Sequence, residues 1–341
     1  MTFSQAVLAL IAAAGVVVSA GIVLARNGDV IAARTGLGGA WVGSVLVAAA
    51  TSLPELATDI SAVRMGAADL AAGDLFGSSM ANMLILAVIT LVPAGSELFK
   101  KAALDHVLYA VLAIILTAIA AIFLLLRTPV ALLGVGIGSI VLLVTYAIGS
   151  RAVFRHTALA KRALATAEMS GSENDKESAN EKVRALRRPL LMFLGAGLVV
   201  FVAAPVFARS AATIADLTGV GTTFIGTWLV GASTSLPELV TSFAAVRMRA
   251  YDLAVGNLFG SNAFNMMVFA VLDPLHTQGP ILSQIDPNHA LSALTAITLM
   301  GIGVAAIVYR TAGRLKLLEP SSALIVIGYF AGLGLLLIAR S

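Results

Sequence analysis

Two glutamates, Glu55 and Glu238, lie in the middle of long apolar runs and not at their polar ends. Each closes the same motif, Thr-Ser-Leu-Pro-Glu, at Thr51–Glu55 and Thr234–Glu238. A carboxylate inside an apolar span is costly unless it is paired, solvated or ion-bound, so each glutamate is a candidate functional residue. The proline before it lacks an N–H and interrupts the helical hydrogen-bond ladder, which frees backbone carbonyls close to the hydroxyls of the motif.

This combination of groups suits a hard cation. Carboxylates, freed carbonyls and hydroxyls make an all-oxygen cage, which Ca²⁺ and Na⁺ prefer and thiolate-seeking metals do not. The two glutamates match the charge of one divalent or two monovalent cations, so either set could occupy the site in turn. The chain has no cysteine, which excludes thiolate metal sites, disulfides and cysteine nucleophiles.

The glutamates belong to an internal repeat with a constant offset of 183 residues, the spacing from Thr51 to Thr234. The register holds without a gap over 51–83 and 234–266, where 22 of 33 positions are identical. Chance similarity between apolar helices does not preserve Pro-Glu, Gly-Ser and Asn at one offset, so the repeat is a duplication. Each copy also carries a serine and an asparagine four residues apart on one helical face, namely Ser78 with Asn82 and Ser261 with Asn265.

Composition indicates the kind of element that holds these residues. Of 341 residues, 59% are hydrophobic and 12% are charged, against about 25% charged in soluble domains. A water-soluble enzyme and a disordered chain are both excluded. Because about 20 apolar residues cross a bilayer, we predict an all-α integral membrane protein with ten transmembrane helices, at 4–25, 36–62, 69–93, 104–126, 129–149, 189–208, 219–246, 252–272, 289–309 and 321–339.

A polar segment at 150–188 divides the chain into two halves, 1–149 and 189–341, with five predicted spans each. An odd number of spans per half means that the two copies cross the membrane in opposite directions. The sequence therefore predicts two inverted five-helix repeats, with a site near the bilayer midplane where the repeats meet.

The distribution of basic residues predicts the orientation. If the linker at 150–188 is cytoplasmic, all Lys and Arg residues lie inside except Arg64, Arg127, Arg209 and Arg340. This asymmetry follows the positive-inside rule and leaves both termini outside. The net charge of +4 therefore reflects topology, and we expect no nucleic-acid partner.

Each Thr-Ser-Leu-Pro-Glu motif is followed by Gly-(Asp/Asn)-Leu-Phe-Gly-Ser. Together these motifs resemble the alpha-repeats of the sodium/calcium exchanger family, and the chain resembles a bacterial-type member of that family. The motifs match over about 36–93 and 219–272. The resemblance implies an antiporter of the bacterial inner membrane that exchanges Ca²⁺ for Na⁺ by alternating access. It implies Ca²⁺, Na⁺ and the lipid bilayer as partners, with no enzymatic activity and no cofactor. The oligomeric state stays open.

The resemblance also implies a ligand set. Glu55 and Glu238 become the central cation ligands, and Thr51, Ser52, Thr234 and Ser235 supply carbonyl or hydroxyl oxygens. The Na⁺ and water positions are completed by Ser78, Asn82, Ser261 and Asn265.

Three departures from the family pattern keep alternatives open. Some members have aspartate at the position of Asn265, so this cage holds one acid fewer. Asp74 stands where the second repeat has Asn257, and we expect it to be a supporting acid, a proton site or part of an ion access path. The segment Ser78–Met83 is similar to proton-coupled exchangers, so a Ca²⁺/H⁺ antiporter is the alternative function. Another divalent cation, such as Mn²⁺ or Mg²⁺, could replace Ca²⁺.

Three more acids receive structural interpretations. Asp59 follows Glu55 by one helical turn, but the second repeat has Ser242 there, so we expect Asp59 to be peripheral or interfacial, with a proton site as the alternative. Asp69 and Asp252 follow loops and are expected to cap the N-termini of their helices.

Overall fold

The computed structural model describes residues 2–102, 105–168, 179–217, 234–309 and 320–340, and nearly all of them are helical. The helices of the first half are α1 Phe3–Thr35, α2 Gly39–Arg64, α3 Ala68–Ile89, α4 Asp105–Leu126 and α5 Ile137–Glu168. Those of the second half are α6 Ala179–Leu217, α7 Leu236–Arg247, α8 Tyr251–Leu272, α9 His289–Val308 and α10 Pro320–Arg340.

Nine of the helices in the described residues are long and apolar enough to cross a membrane. The remaining predicted span, 219–246, is the seventh along the chain and falls largely outside those residues, and α7 is its described C-terminal part. The all-α membrane fold predicted from the sequence is confirmed, while the count of ten helices stays a prediction.

The fifth span begins later than predicted. Residues 129–136 were expected to begin it, but they form a loop with a two-residue antiparallel ribbon, Ala131–Leu132 with Val135–Gly136, and α5 starts at Ile137. Leu133 and Gly134 turn the ribbon with positive φ angles of 52° and 82°. Apolar residues at Val130–Leu133 resemble the start of a span, but Pro129 and Gly134 favour a turn.

Helices flank the polar segment at 150–188 on both sides. Helix α5 continues to Glu168 and α6 begins at Ala179, so both extend beyond the predicted spans. Residues 169–178, in the centre of the segment, lie outside the described residues. The division into 1–149, 150–188 and 189–341 remains a prediction.

The two halves interlock. Helix α1 packs along α6, and each of these two also packs on the second helix of the opposite half, α1 on α7 and α6 on α2. In the same way α4 packs on α8, and its counterpart α9 packs on α3. Helices α3 and α8 lie at the centre of the protein. Within the apolar stretch of each helix, 72% of the residues of α3 and 78% of those of α8 are buried, against 28% for α1. Because the repeated motifs lie on α2, α3, α7 and α8, both copies are brought to the centre of the protein.

Matching turns connect the motif helices in each half. Gly66 follows α2 and Arg249 follows α7, and both have positive φ angles, 78° and 61°. These residues are separated by the repeat offset, so the duplication preserves a left-handed backbone position that glycine adopts more readily than arginine.

Candidate cation site

Glu55 and Glu238 are buried at the centre of the protein, with 1% and 0% of their surface exposed. Each accepts a hydrogen bond from the opposite half. Ser235 donates its hydroxyl to Glu55 Oε1 at 3.3 Å, and Ser52 donates to Glu238 Oε1 at 3.2 Å. The two glutamates therefore belong to one connected cluster that spans both repeats.

A second pair of hydrogen bonds between the halves is reciprocal in the same way. The hydroxyl of Thr51 donates to Asn257 Oδ1, and that of Thr234 donates to Asp74 Oδ1, each at 3.2 Å. Thr51 and Thr234 are repeat counterparts, as are Asp74 and Asn257. The duplication is thus visible as an exchange of hydrogen bonds between halves.

Farther along α3 and α8 the symmetry ends. Ser78 donates to Glu55 Oε1 at 2.8 Å, whereas the hydroxyl of its counterpart Ser261 has no hydrogen-bond partner among the described residues. Asn82 donates to Asn262 Oδ1 at 2.9 Å, but both amide atoms of Asn265 lack a partner in the same described set. Nine of the predicted site residues take part in side-chain hydrogen bonds, and the side chains of Ser261 and Asn265 are buried without one among the described residues.

Several buried oxygens of this cluster have no hydrogen-bond partner within the described part of the chain. They are Glu55 Oε2, Glu238 Oε2, Asp74 Oδ2, Asn82 Oδ1, Ser261 Oγ and Asn265 Oδ1. A buried polar atom without a partner costs about 1–3 kcal/mol, and more when it is charged. Their chemistry, carboxylate, amide and hydroxyl oxygen, is the donor set of a hard cation.

The cluster is not an all-acid metal centre. Among the residues that the structure describes, no three acids or histidines converge as metal ligands. Any cation held here therefore takes part of its coordination from neutral oxygens, as the hydroxyl-rich motifs predict.

Local features of α2 explain how two helices approach closely here. Val42–Val47 forms π-helical turns, and Pro54 lies inside the following α-helical part, Ala48–Arg64. Such π-turns are typical of functional sites. A Cβ atom added to Gly43 would lie 2.6 Å from the carbonyl oxygen of Leu253, and one added to Gly260 would overlap the backbone of Ser44. Only glycine fits at these α2–α8 contacts.

The position of Asp59 differs from the one expected from the sequence. It was expected to be peripheral or interfacial, but its side chain is 1% exposed and neither carboxyl oxygen has a donor partner in the described residues. Its repeat counterpart Ser242 accepts a hydrogen bond at 2.9 Å from Asn257, the counterpart of Asp74, so Asp59 occupies the corresponding position on the inner face of α2. The reason is that one turn after Glu55 the same face of α2 still points at α3.

Two contacts between halves were missed from the sequence. His106 Nε2 lies 2.8 Å from Asp252 Oδ1, and His289 Nε2 lies 3.5 Å from Asp69 Oδ1. The expected N-cap role of the aspartates is wrong, because α3 and α8 begin at Ala68 and Tyr251 and both aspartates fall in the first turn. His106 and His289 are separated by the offset of 183 residues that also relates Asp69 to Asp252, so the sequence marks them as repeat counterparts without showing which residues they contact.

Comparisons with known proteins agree with this architecture. YrbG, an inner membrane protein of Escherichia coli, is 27% identical over 259 residues, which cover 72% of this chain and 71% of that protein. The sodium/calcium exchanger MaX1 of Methanosarcina acetivorans is 38% identical over 76 residues, 22% of each chain. A structure of the sodium-calcium exchanger NCX_Mj aligns with a TM-score of 0.72 at 19% identity, covering 98% of this chain and 99% of that one.

The family described as sodium/calcium exchanger protein matches residues 4–159 and 188–338, which is most of the chain. The two matched stretches correspond to the two halves, and the resemblance seen in the motifs is confirmed. The chain therefore belongs to the sodium/calcium exchanger protein family, whose members are membrane transporters and not enzymes.

Proposed function

We propose that the protein exchanges Ca²⁺ for Na⁺ across the membrane by alternating access at a midplane site. The observation that carries this proposal is the reciprocal contact between halves, Ser52 to Glu238 and Ser235 to Glu55. A site built equally from two inverted repeats can be opened to either side by moving one repeat against the other.

The proposed ligands are those that the motifs predict. Glu55 and Glu238 supply the charge. Neutral oxygens come from Thr51, Ser52, Thr234, Ser235, Ser78, Asn82, Ser261 and Asn265, and Asp74 adds a further carboxylate. The unpartnered oxygens of this cluster support the assignment, since a bound cation would satisfy them.

The burial of two carboxylates explains why transport would be an exchange. An unneutralised pair of buried acids is strongly unfavourable, so the protein resists the conformational change while the site is empty. One Ca²⁺ or two Na⁺ ions neutralise the pair equally well. Each crossing then requires a bound ion, which couples the movement of one cation to that of the other.

We propose that the protein resides in the bacterial inner membrane with both termini outside and the segment at 150–188 in the cytoplasm. The asymmetric distribution of Lys and Arg supports this orientation. The name of the Escherichia coli relative, an inner membrane protein, supports the location.

Flux into proteoliposomes tests the function. With Ca²⁺ outside, an outward-directed Na⁺ gradient should drive Ca²⁺ uptake, and an outward-directed H⁺ gradient should not. Glu55→Gln and Glu238→Gln should each abolish the uptake. Glu97→Gln is the matched control, because Glu97 is an exposed acid paired with Lys101 at 2.7 Å and outside the spans. Uptake driven by H⁺ and indifferent to Na⁺ would favour the Ca²⁺/H⁺ alternative instead.

A further inference from the structure

The antiparallel ribbon between α4 and α5 has an exposed apolar tip. Every residue at 129–134 is exposed, and the side chains of Val130, Leu132 and Leu133 are 57%, 61% and 96% exposed. After Arg127, no residue of this segment is charged before α5 begins. A contiguous apolar patch of this kind marks a surface that contacts another protein or a membrane.

The turn of the ribbon has a leucine at a position where polar residues are usual. Leu133 and Gly134 both have positive φ angles, 52° and 82°, and two-residue hairpin turns of this conformation favour Asn-Gly or Asp-Gly. Leucine adopts a positive φ angle only at a steric cost. Because the Leu133 side chain makes almost no contact with the described part of the protein, a tip in water would combine that cost with the hydration of an apolar side chain. Contact with lipid removes the second cost.

The corresponding segment of the second half has the opposite character. The Arg-Thr pair at 127–128 recurs at 310–311, with the offset of the repeat. In the eight residues that follow, the second copy has three charged side chains and the first copy has none. Lys316 stands at the position of Leu133. Residues 310–319 lie outside the described residues, so this contrast is one of sequence, and it indicates that the repeat does not itself require an apolar connection.

The ribbon begins where a membrane-crossing helix ends. Helix α4 has 22 residues and is therefore about 33 Å long, enough to cross a hydrocarbon layer of about 30 Å. In its last turn Leu125 and Leu126 are 58% and 65% exposed, as lipid-facing side chains are. At the other end of the ribbon, the backbone N–H of Gly136 donates to the buried Asp273 at 2.7 Å. The base of the ribbon is thus fixed to the protein next to a lipid-facing surface.

We propose that the ribbon tip, formed by Val130, Leu132 and Leu133, inserts into the boundary between headgroups and acyl chains, at the membrane face where α4 ends. Apolar side chains leave water at this depth. Deeper insertion is excluded, because the turn leaves backbone groups unpaired and these need water or headgroups as partners. Arg127, at the start of the ribbon, is placed to contact lipid phosphates. This lipid anchor goes beyond ion exchange and does not depend on which cations the protein carries.

Thiol labelling of the full chain in proteoliposomes tests the proposal. The chain has no cysteine, so Leu132→Cys and Leu133→Cys each introduce a single thiol. The matched control is Gln278→Cys, an exposed position in the loop after Asp273, which lies at the same membrane face because Asp273 contacts the ribbon. A membrane-impermeant maleimide should label the ribbon thiols about tenfold or more slowly than the control, since burying one large apolar side chain disfavours the water-exposed position by at least that factor. Denatured protein gives the intrinsic rate of each thiol.

A membrane-permeant fluorophore attached to the same thiols identifies what covers them. Slow maleimide labelling, together with quenching of the fluorophore by lipids brominated in the upper acyl chain, supports the proposal. Labelling as fast as that of the control overturns it, because the tip would then lie in water. Slow labelling without quenching by brominated lipid also overturns it, because another protein surface, such as a second copy of the chain, would then cover the tip.

Discussion

Ser52 in the first half donates its hydroxyl to Glu238 in the second half at 3.2 Å, and the repeat counterparts exchange the same contact in the opposite direction. Each half thus completes the environment of the other half's acid. A cluster assembled in this way depends on the relative position of the two repeats, which is the property that an alternating-access site requires.

The reciprocal serines give the first prediction. Ser52→Ala and Ser235→Ala each remove a hydroxyl from a buried carboxylate, and hydrogen bonds to charged groups contribute about 1.5–3 kcal/mol. Each variant should therefore weaken Ca²⁺ binding by about tenfold or more, measured by calorimetry. Ser61→Ala is the control, because Ser61 is exposed and donates only to the carbonyl of Ala57. If only one of the two substitutions weakened Ca²⁺ binding, this result would contradict a site shared by the two glutamates.

Close packing of α2 against α8 gives the second prediction. A methyl group at Gly260 would overlap the backbone of Ser44, whereas at Gly77, its repeat counterpart, nothing in the described residues lies within 4 Å. Overpacking of this kind costs about 1–3 kcal/mol. Gly260→Ala should lower the thermal unfolding midpoint and impair ion flux, and Gly77→Ala should do so less. Equal damage from both substitutions would mean that α3 also requires glycine at this position.

The histidine–aspartate contacts give the third prediction. Each of the contacts His106–Asp252 and His289–Asp69 links the two halves. In the predicted inverted arrangement α3 and α8 run in opposite directions, which would put these two contacts at opposite faces of the membrane. His106→Gln and His289→Gln should therefore shift the inward- and outward-facing populations in opposite directions. His276→Gln is the control, since His276 is partly exposed and contacts the carbonyl of the nearby Gly279.

A single-cysteine reporter measures these populations. The chain has no cysteine, so Gly77→Cys can be labelled without background by a membrane-impermeant maleimide added to one side. One histidine variant should raise the labelling rate from that side and the other should lower it. A change of the same sign in both variants would contradict a face-specific role.

The sequence predicted which residues cluster at the centre of the protein better than it predicted what surrounds them. Glu55 and Glu238 could be identified because the repeat preserves polar residues inside apolar spans, where packing alone does not require them. The burial of Asp59 was not predictable, because it depends on how α2 and α3 are rotated against each other. The His106–Asp252 contact joins residues 146 apart in different halves, and a repeat offset does not reveal which elements meet. The start of α5 was missed because apolar residues at a turn resemble a span.

Competition between Ca²⁺ and Na⁺ for the purified protein is the decisive test of a shared site. We expect Na⁺ to raise the apparent dissociation constant of Ca²⁺ without limit, as it does when both ions occupy one set of ligands. We also expect Glu55→Gln and Glu238→Gln each to remove Ca²⁺ binding, and Glu97→Gln to retain it. Simultaneous binding of both ions at saturation, or Ca²⁺ binding that survives loss of either buried glutamate, would contradict a shared site between the two repeats.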